Sequence, residues 1–120
     1  MKKLRILLIA VALLGALSAV NAQRVVRAYP NHGTVVTTIH KPKLVIHKGI
    51  RYHLAEGVWY KARGRKYVVC AAPRGIAIKT LPRGHKVVFV KGRKYFAFRG
   101  VHYQRAGRTY KVVYIEVDLG

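Results

Sequence analysis

From Thr34 onward the chain alternates apolar and polar residues in runs of about five, each broken by Gly, Pro or basic residues. Alternation with a period of two marks a half-buried strand, and short strands at this spacing build antiparallel meanders, barrels or sandwiches. The runs predict strands at Thr34–Ile39, Lys43–Lys48, Arg51–Leu54, Val58–Ala62 and Lys66–Cys70. They predict a second set at Ile76–Leu81, Lys86–Lys91, Lys94–Phe98, Val101–Arg105 and Thr109–Val117. No stretch after Ala22 carries the apolar stripe of a surface helix.

The two sets are copies of one unit. Gly33 aligns with Gly75 and Thr38 with Thr80; after a one-residue insertion in the second copy, the offset from Lys43 onward is 43 residues. Lys43, Val45, Lys48, Gly49, Tyr52, Gly57, Val58, Tyr60, Gly64, Arg65, Tyr67 and Val69 then each meet an identical residue. Repeat one covers about 33–70 and repeat two about 75–113, joined through Ala71-Ala72-Pro73-Arg74. A unit this short cannot bury its own apolar face, so the copies are expected to pack together as a small barrel-like or sandwich domain.

The turns set the expected register. Arg63-Gly64 and Ala106-Gly107 suit two-residue hairpin loops, and Ala55-Glu56-Gly57 and Phe98-Arg99-Gly100 suit three-residue loops ending in Gly. That register lines up two cross-strand rows of rings, Tyr52–Tyr60–Tyr67 and Tyr95–Tyr103–Tyr110. Such rows stabilise a sheet by roughly 0.2–1 kcal/mol per pair; if exposed, they would instead be stacking platforms for sugars or bases.

Ahead of the repeats, Met1-Lys2-Lys3-Leu4-Arg5 precedes an uncharged apolar run from Ile6 to Leu17 and then Val20-Asn21-Ala22. This is the pattern of a secretory signal peptide over residues 1–22, cleaved after Ala22; the run is too short for a bilayer core, which favours cleavage over an uncut anchor. The mature β domain would then span residues 23–120, in the periplasm or outside the cell.

Charge adds the functional expectation. The chain has 24 Lys and Arg against 3 acids, and losing Lys2, Lys3 and Arg5 from a net +21 leaves about +18. Solubility of a small domain needs a magnitude of only roughly 2–8. The cations cluster in turns, and alternate turns of a meander emerge at one end of the sheet. That end collects Lys48, Arg51, Arg63, Arg65 and Lys66 in copy one and Lys91, Arg93, Lys94, Arg105 and Arg108 in copy two. These tips are expected to bind an anionic envelope component: lipopolysaccharide, a peptidoglycan-linked polymer or another polyanion. The alternatives are a structural or assembly module that self-associates, and a periplasmic metal-handling protein. Nucleic acid suits the charge but not an exported address.

Catalytic material is scarce. No Ser follows residue 22, which removes a Ser-His-Asp arrangement, and the acids are Glu56, Glu116 and Asp118. Cys70 stands alone, so no intramolecular disulfide forms; Val113 holds its place in copy two, which favours a small apolar role over a reactive thiol. His32, His40, His47, His53, His85 and His102 match no tight zinc spacing. No enzyme activity, metal or cofactor is expected.

The stretch Ala72-Pro73-Arg74-Gly75 through Leu81-Pro82-Arg83-Gly84 continues with Gly92, Tyr95-Phe96, Gly100-Val101-His102-Tyr103 and Tyr110-Lys111-Val112. This resembles a repeated motif of uncharacterised exported bacterial proteins, in which Pro-x-Gly leads to Leu-Pro-x-Gly, a Tyr-aromatic doublet, Gly-Val-x-Tyr and Tyr-x-Val. Copy one keeps Gly49, Tyr52, Gly57-Val58-Trp59-Tyr60 and Tyr67-Val68-Val69, and departs at Ile39-His40-Lys41-Pro42. The resemblance implies tandem β-repeats and an envelope or secreted location, and no assigned activity.

Overall fold

The computed structural model describes residues 28–116; the expected leader lies outside the described residues. All regular structure among the described residues is strand. Copy one supplies β1 (Val35–Val36), β2 (Lys43–His47), β3 (Ile50–Ala55), β4 (Val58–Arg63) and β5 (Lys66–Cys70). Copy two supplies β6 (Ala77–Ile78), β7 (Lys86–Val90), β8 (Arg93–Phe98), β9 (Val101–Ala106) and β10 (Thr109–Val113). Each copy is its own five-stranded antiparallel sheet, in the orders β1-β5-β4-β3-β2 and β6-β10-β9-β8-β7. The repeat is thus a meander whose first strand swings round to pair with the last. Neither sheet closes into a barrel.

Three expected strands are shorter than their apolar runs. β1 and β6 have two residues each, because each chain leaves its edge position to cross the sheet toward the next strand. β10 stops at Val113, which pairs with His102; β9 begins at Val101, so little partner remains beyond that point.

The register shows which residues share a face. In the first sheet His53, Tyr60 and Val69 lie side by side on one face, here called the front, and Leu54, Trp59 and Cys70 on the back. In the second sheet the repeat-equivalent front carries Phe96, Tyr103 and Val112, and the back Ala97, His102 and Val113. The core joins unlike faces. Tyr52, Leu54 and Trp59 from the back of the first sheet pack on Ile78, Val101, Tyr103 and Val112 from the front of the second, with Ala72 and Ile76 of the connector region. The copies therefore stack front to back, and Trp59 and Tyr103, both with no exposed surface, meet at the centre. Fully burying one such ring is worth roughly 1.5–3 kcal/mol or more.

The polar atoms of the aromatic side chains at this junction are paired, whereas Arg99 Nε, whose side chain stands beside Gly57, is buried without a partner among the described residues. Trp59 Nε1 donates to the Tyr103 hydroxyl at 3.4 Å. The Tyr29 hydroxyl donates to the Cys70 carbonyl at 2.5 Å and accepts the Trp59 backbone N–H at 2.9 Å. The Tyr114 hydroxyl donates to the Ala72 carbonyl, fixing the connector against the end of β10. The β2–β3 hairpin crosses the second sheet. Its Gly57 end lies under the Phe98 ring, so close that a Cβ on Gly57 would sit 2.2 Å from it. At the hairpin's other end, the His47 ring lies 4.0 Å from where a Gly75 Cβ would stand.

Candidate polyanion-binding surface at the hairpin tips

Every hairpin loop has two residues. Ala55 pairs with Val58 and Phe98 with Val101, so Glu56-Gly57 and Arg99-Gly100 replace the expected three-residue loops. Arg63 pairs with Lys66 and Ala106 with Thr109, so the other loops are Gly64-Arg65 and Gly107-Arg108, one residue later than expected. The backbone explains both shifts. Two-residue hairpins need positive φ, at both positions in type I′ and at the first in type II′. Lys48-Gly49, Glu56-Gly57, Lys91-Gly92 and Arg99-Gly100 are positive at both positions; Gly64 and Gly107 supply the positive first residue. Sequence reading placed Gly last in the three-residue loops and missed that a charged residue would itself enter the left-handed region.

The one-residue change in the β3–β4 and β8–β9 loops overturns the two rows of Tyr rings. Tyr52 turns to the back with Trp59, their rings edge to face at 6.4 Å, while Tyr60 and Tyr67 stay on the front. The front row of copy one is instead His53, Tyr60 and Tyr67, with His53–Tyr67 centroids at 5.3 Å and Tyr60–Tyr67 at 6.4 Å. In copy two Tyr95 turns away in the same manner. Phe96 takes its place beside Tyr103 and Tyr110, with Phe96–Tyr110 at 5.4 Å. In the copy-two row the half-buried Phe96 and Tyr110 pack against the core around the fully buried Tyr103, whereas the half-buried His53, Tyr60 and Tyr67 lie outside that core.

All ten tip cations are exposed: Lys48, Arg51, Arg63, Arg65, Lys66, Lys91, Arg93, Lys94, Arg105 and Arg108. In each sheet the meander brings its five to one end. The two groups of five stay apart, because the sheets converge at the opposite end, where Gly57 meets Phe98. His47, at the root of the first sheet's tip, lies beside Gly75, which bonds Val112 at the end of β10 remote from the Gly107-Arg108 tip. Four of the tip cations run against local stability. Arg63 and Lys66 face each other directly, a like-charge pair that costs roughly 0.2–1 kcal/mol. Lys48 and Lys91 occupy left-handed positions, with φ of 51° and 50°, where Asn, Asp or Gly is favoured. Arg105 Nε makes only a local bond, to the Gly107 carbonyl at 3.4 Å.

Other chemistry has little geometry behind it. Among the described residues no three His, Cys, Asp or Glu side chains come together to hold a metal ion. Cys70 is half-buried, and burial pushes its thiol up, which lowers the thiolate fraction that a nucleophile needs.

The model of one protein family, described only as a family of unknown function, matches residues 23–118. The chain belongs to the DUF6515 family. No curated protein and no solved structure matches it. For this DUF6515 chain, the matched segment takes in both β-repeats, all ten tip cations and the whole aromatic junction.

Proposed function

We propose that this is a non-catalytic protein of the bacterial envelope, periplasmic or secreted, that binds an anionic surface polymer through its basic hairpin tips. The observation that carries the reading is where the charge sits: exposed Lys and Arg hold turn positions at which they work against the fold. Solubility alone gives no reason to place cations opposite each other or in left-handed backbone. A polymer whose phosphates or carboxylates neutralise several tips at once does. The family match begins at Gln23, the residue after the expected cleavage point, in keeping with an exported mature domain.

The test is retention of the processed protein on lipopolysaccharide, peptidoglycan and heparin across a salt series. Binding should weaken steeply with salt, each lost contact lowering the log–log slope by roughly 0.7–0.9. Replacing Arg93, Lys94, Arg105 and Arg108 with Gln should weaken retention much more than replacing Lys41, Lys43, Arg83 and Lys86. Equal losses from the two sets would sink the tip reading.

One further observation favours assembly as a second reading. Edge strands β2 and β7 present Leu44, Ile46, Val87 and Phe89 to solvent, and unpaired edges with apolar side chains invite strand pairing. Association of that kind would persist or rise with salt, opposite to polyanion binding.

A further inference from the structure

Front-to-back stacking has a chemical result at the end where the sheets converge. The link into β2 and the link into β7 are repeat-equivalent, and stacking brings them to the two sides of one cleft. Copy one contributes His40, Lys41 and Lys43, together with Leu54, Glu56 and Gly57; copy two contributes Thr80 to Gly84 and Phe98. The cleft holds about 790 Å³, within the range of roughly 300–1,000 Å³ typical of small-molecule sites.

Its floor is apolar, made by Leu54, Leu81, Pro82 and Phe98. Leu54 belongs to the core and Leu81 packs against it, so the floor is the open mouth of the junction between the sheets. Phe98 is held over two turn glycines: a Cβ would stand 2.2 Å from its ring at Gly57 and 3.3 Å at Gly84. The rim is cationic. Lys43 pairs with Leu54 across β2 and β3, which sets an ammonium stem beside the apolar floor. Lys41 and Arg83 approach from the two links, and both are exposed. Among the described residues Glu56 is the only acid at the rim, so negative charge is favoured on the side of the links.

We propose that this cleft binds an anionic single-chain amphiphile, its alkyl chain against Leu54, Leu81, Pro82 and Phe98 and its head group among Lys41, Lys43 and Arg83. An apolar floor by itself would accept any hydrocarbon; the three cations select a phosphate or carboxylate head. The proposal is independent of the tips, which lie at the other end of each sheet.

Dodecyl phosphate serves as the probe, titrated into the processed protein below its micelle-forming concentration. Calorimetry and the fluorescence of Trp59, the chain's one tryptophan and the cross-strand neighbour of Leu54, give two readouts. One-to-one saturable binding is expected. Decyl phosphate should bind about fifteenfold more weakly, since each of the two CH2 groups it lacks is worth about fourfold in affinity. Dodecyl maltoside, with a neutral head, and inorganic phosphate, with no chain, should each bind at least about tenfold more weakly than dodecyl phosphate, as expected when one of the two terms is lost. Lys41→Gln with Lys43→Gln and Arg83→Gln should cut dodecyl phosphate affinity and leave circular dichroism unchanged, because all three side chains are exposed. Arg93→Gln with Lys94→Gln and Arg105→Gln should leave it intact while weakening polyanion retention. The proposal is overturned by non-saturable uptake, by equal affinity for dodecyl maltoside or for inorganic phosphate, or by equal loss in the link and tip variants. Equal loss would point to adsorption on cationic surface in general. Failure of heparin retention alone would bear only on the tips.

Discussion

Tyr103 shows how one side chain can tie two copies together. Its hydroxyl accepts from Trp59 Nε1 inside a junction with no solvent, and burial raises its pKa from 10.0 to about 12. Tyr29, half-buried with its hydroxyl on the Cys70 carbonyl, is raised too, by burial. A raised phenol pKa means that the folded chain keeps its proton where the unfolded chain has lost it. The contribution to stability is complete below pH 10 and is lost as pH rises through about 12. Thermal unfolding followed by circular dichroism should therefore show a flat midpoint up to about pH 9 and a steep fall above about pH 10. Tyr103→Phe should flatten that fall while lowering stability at neutral pH by about 1 kcal/mol, the usual worth of a hydrogen bond. A fall equally steep in the variant would mean that Tyr103 does not carry the effect. None of this could be read from the chain, where Tyr60 and Tyr103 are equivalent. Only packing makes one a half-buried front residue and the other the centre of the core.

The hairpins hold a balance between turn chemistry and charge. Lys48 and Lys91 begin type I′ loops in left-handed backbone, which costs an L-residue roughly 1–2 kcal/mol and Asn less. Lys48→Asn with Lys91→Asn should raise stability in urea by roughly 0.5–1 kcal/mol per site, and should lower heparin affinity. Gain of stability without loss of affinity would show that those two lysines lie outside the binding surface. The strands themselves were legible from two-residue alternation, and seven of the ten have close to their expected lengths, because a half-buried strand writes its pattern locally. The loop lengths were less legible. Ala55 and Phe98, each two residues before a turn Gly, read equally as the last strand residue or as the first loop residue, and a one-residue choice turns every side chain beyond it to the other face. That is why Tyr52 and Tyr95 left the rows assigned to them while Tyr60–Tyr67 contact survived.

In the molecule as a whole, Gly57 and Gly100 are repeat partners with nearly the same φ, +80° and +78°, but their surroundings differ. A Cβ at Gly100 meets nothing within 4 Å, whereas one at Gly57 runs into the Phe98 ring at the seam between the sheets. Gly100→Ala should cost only the backbone term, about 1–2 kcal/mol. Gly57→Ala should cost at least about 1 kcal/mol more by opening the seam, measured as the difference in urea midpoints; equal costs would mean that the Phe98 contact contributes nothing. Phe98, Leu81 and the two links also make the cleft that sequence reading did not find. Nothing local marks two links some forty residues apart as neighbours. Alternation, turn glycines and the 43-residue offset were enough to determine that this is an all-β chain of two equal meanders with cations in its turns. Those are short-range properties, repeated in each copy. Tertiary structure alone decided that unlike faces meet, that one aromatic row packs into the core and the other does not, and that the tips form two groups. Identical units carry identical patterns, so only the contact between them can make equivalent residues differ.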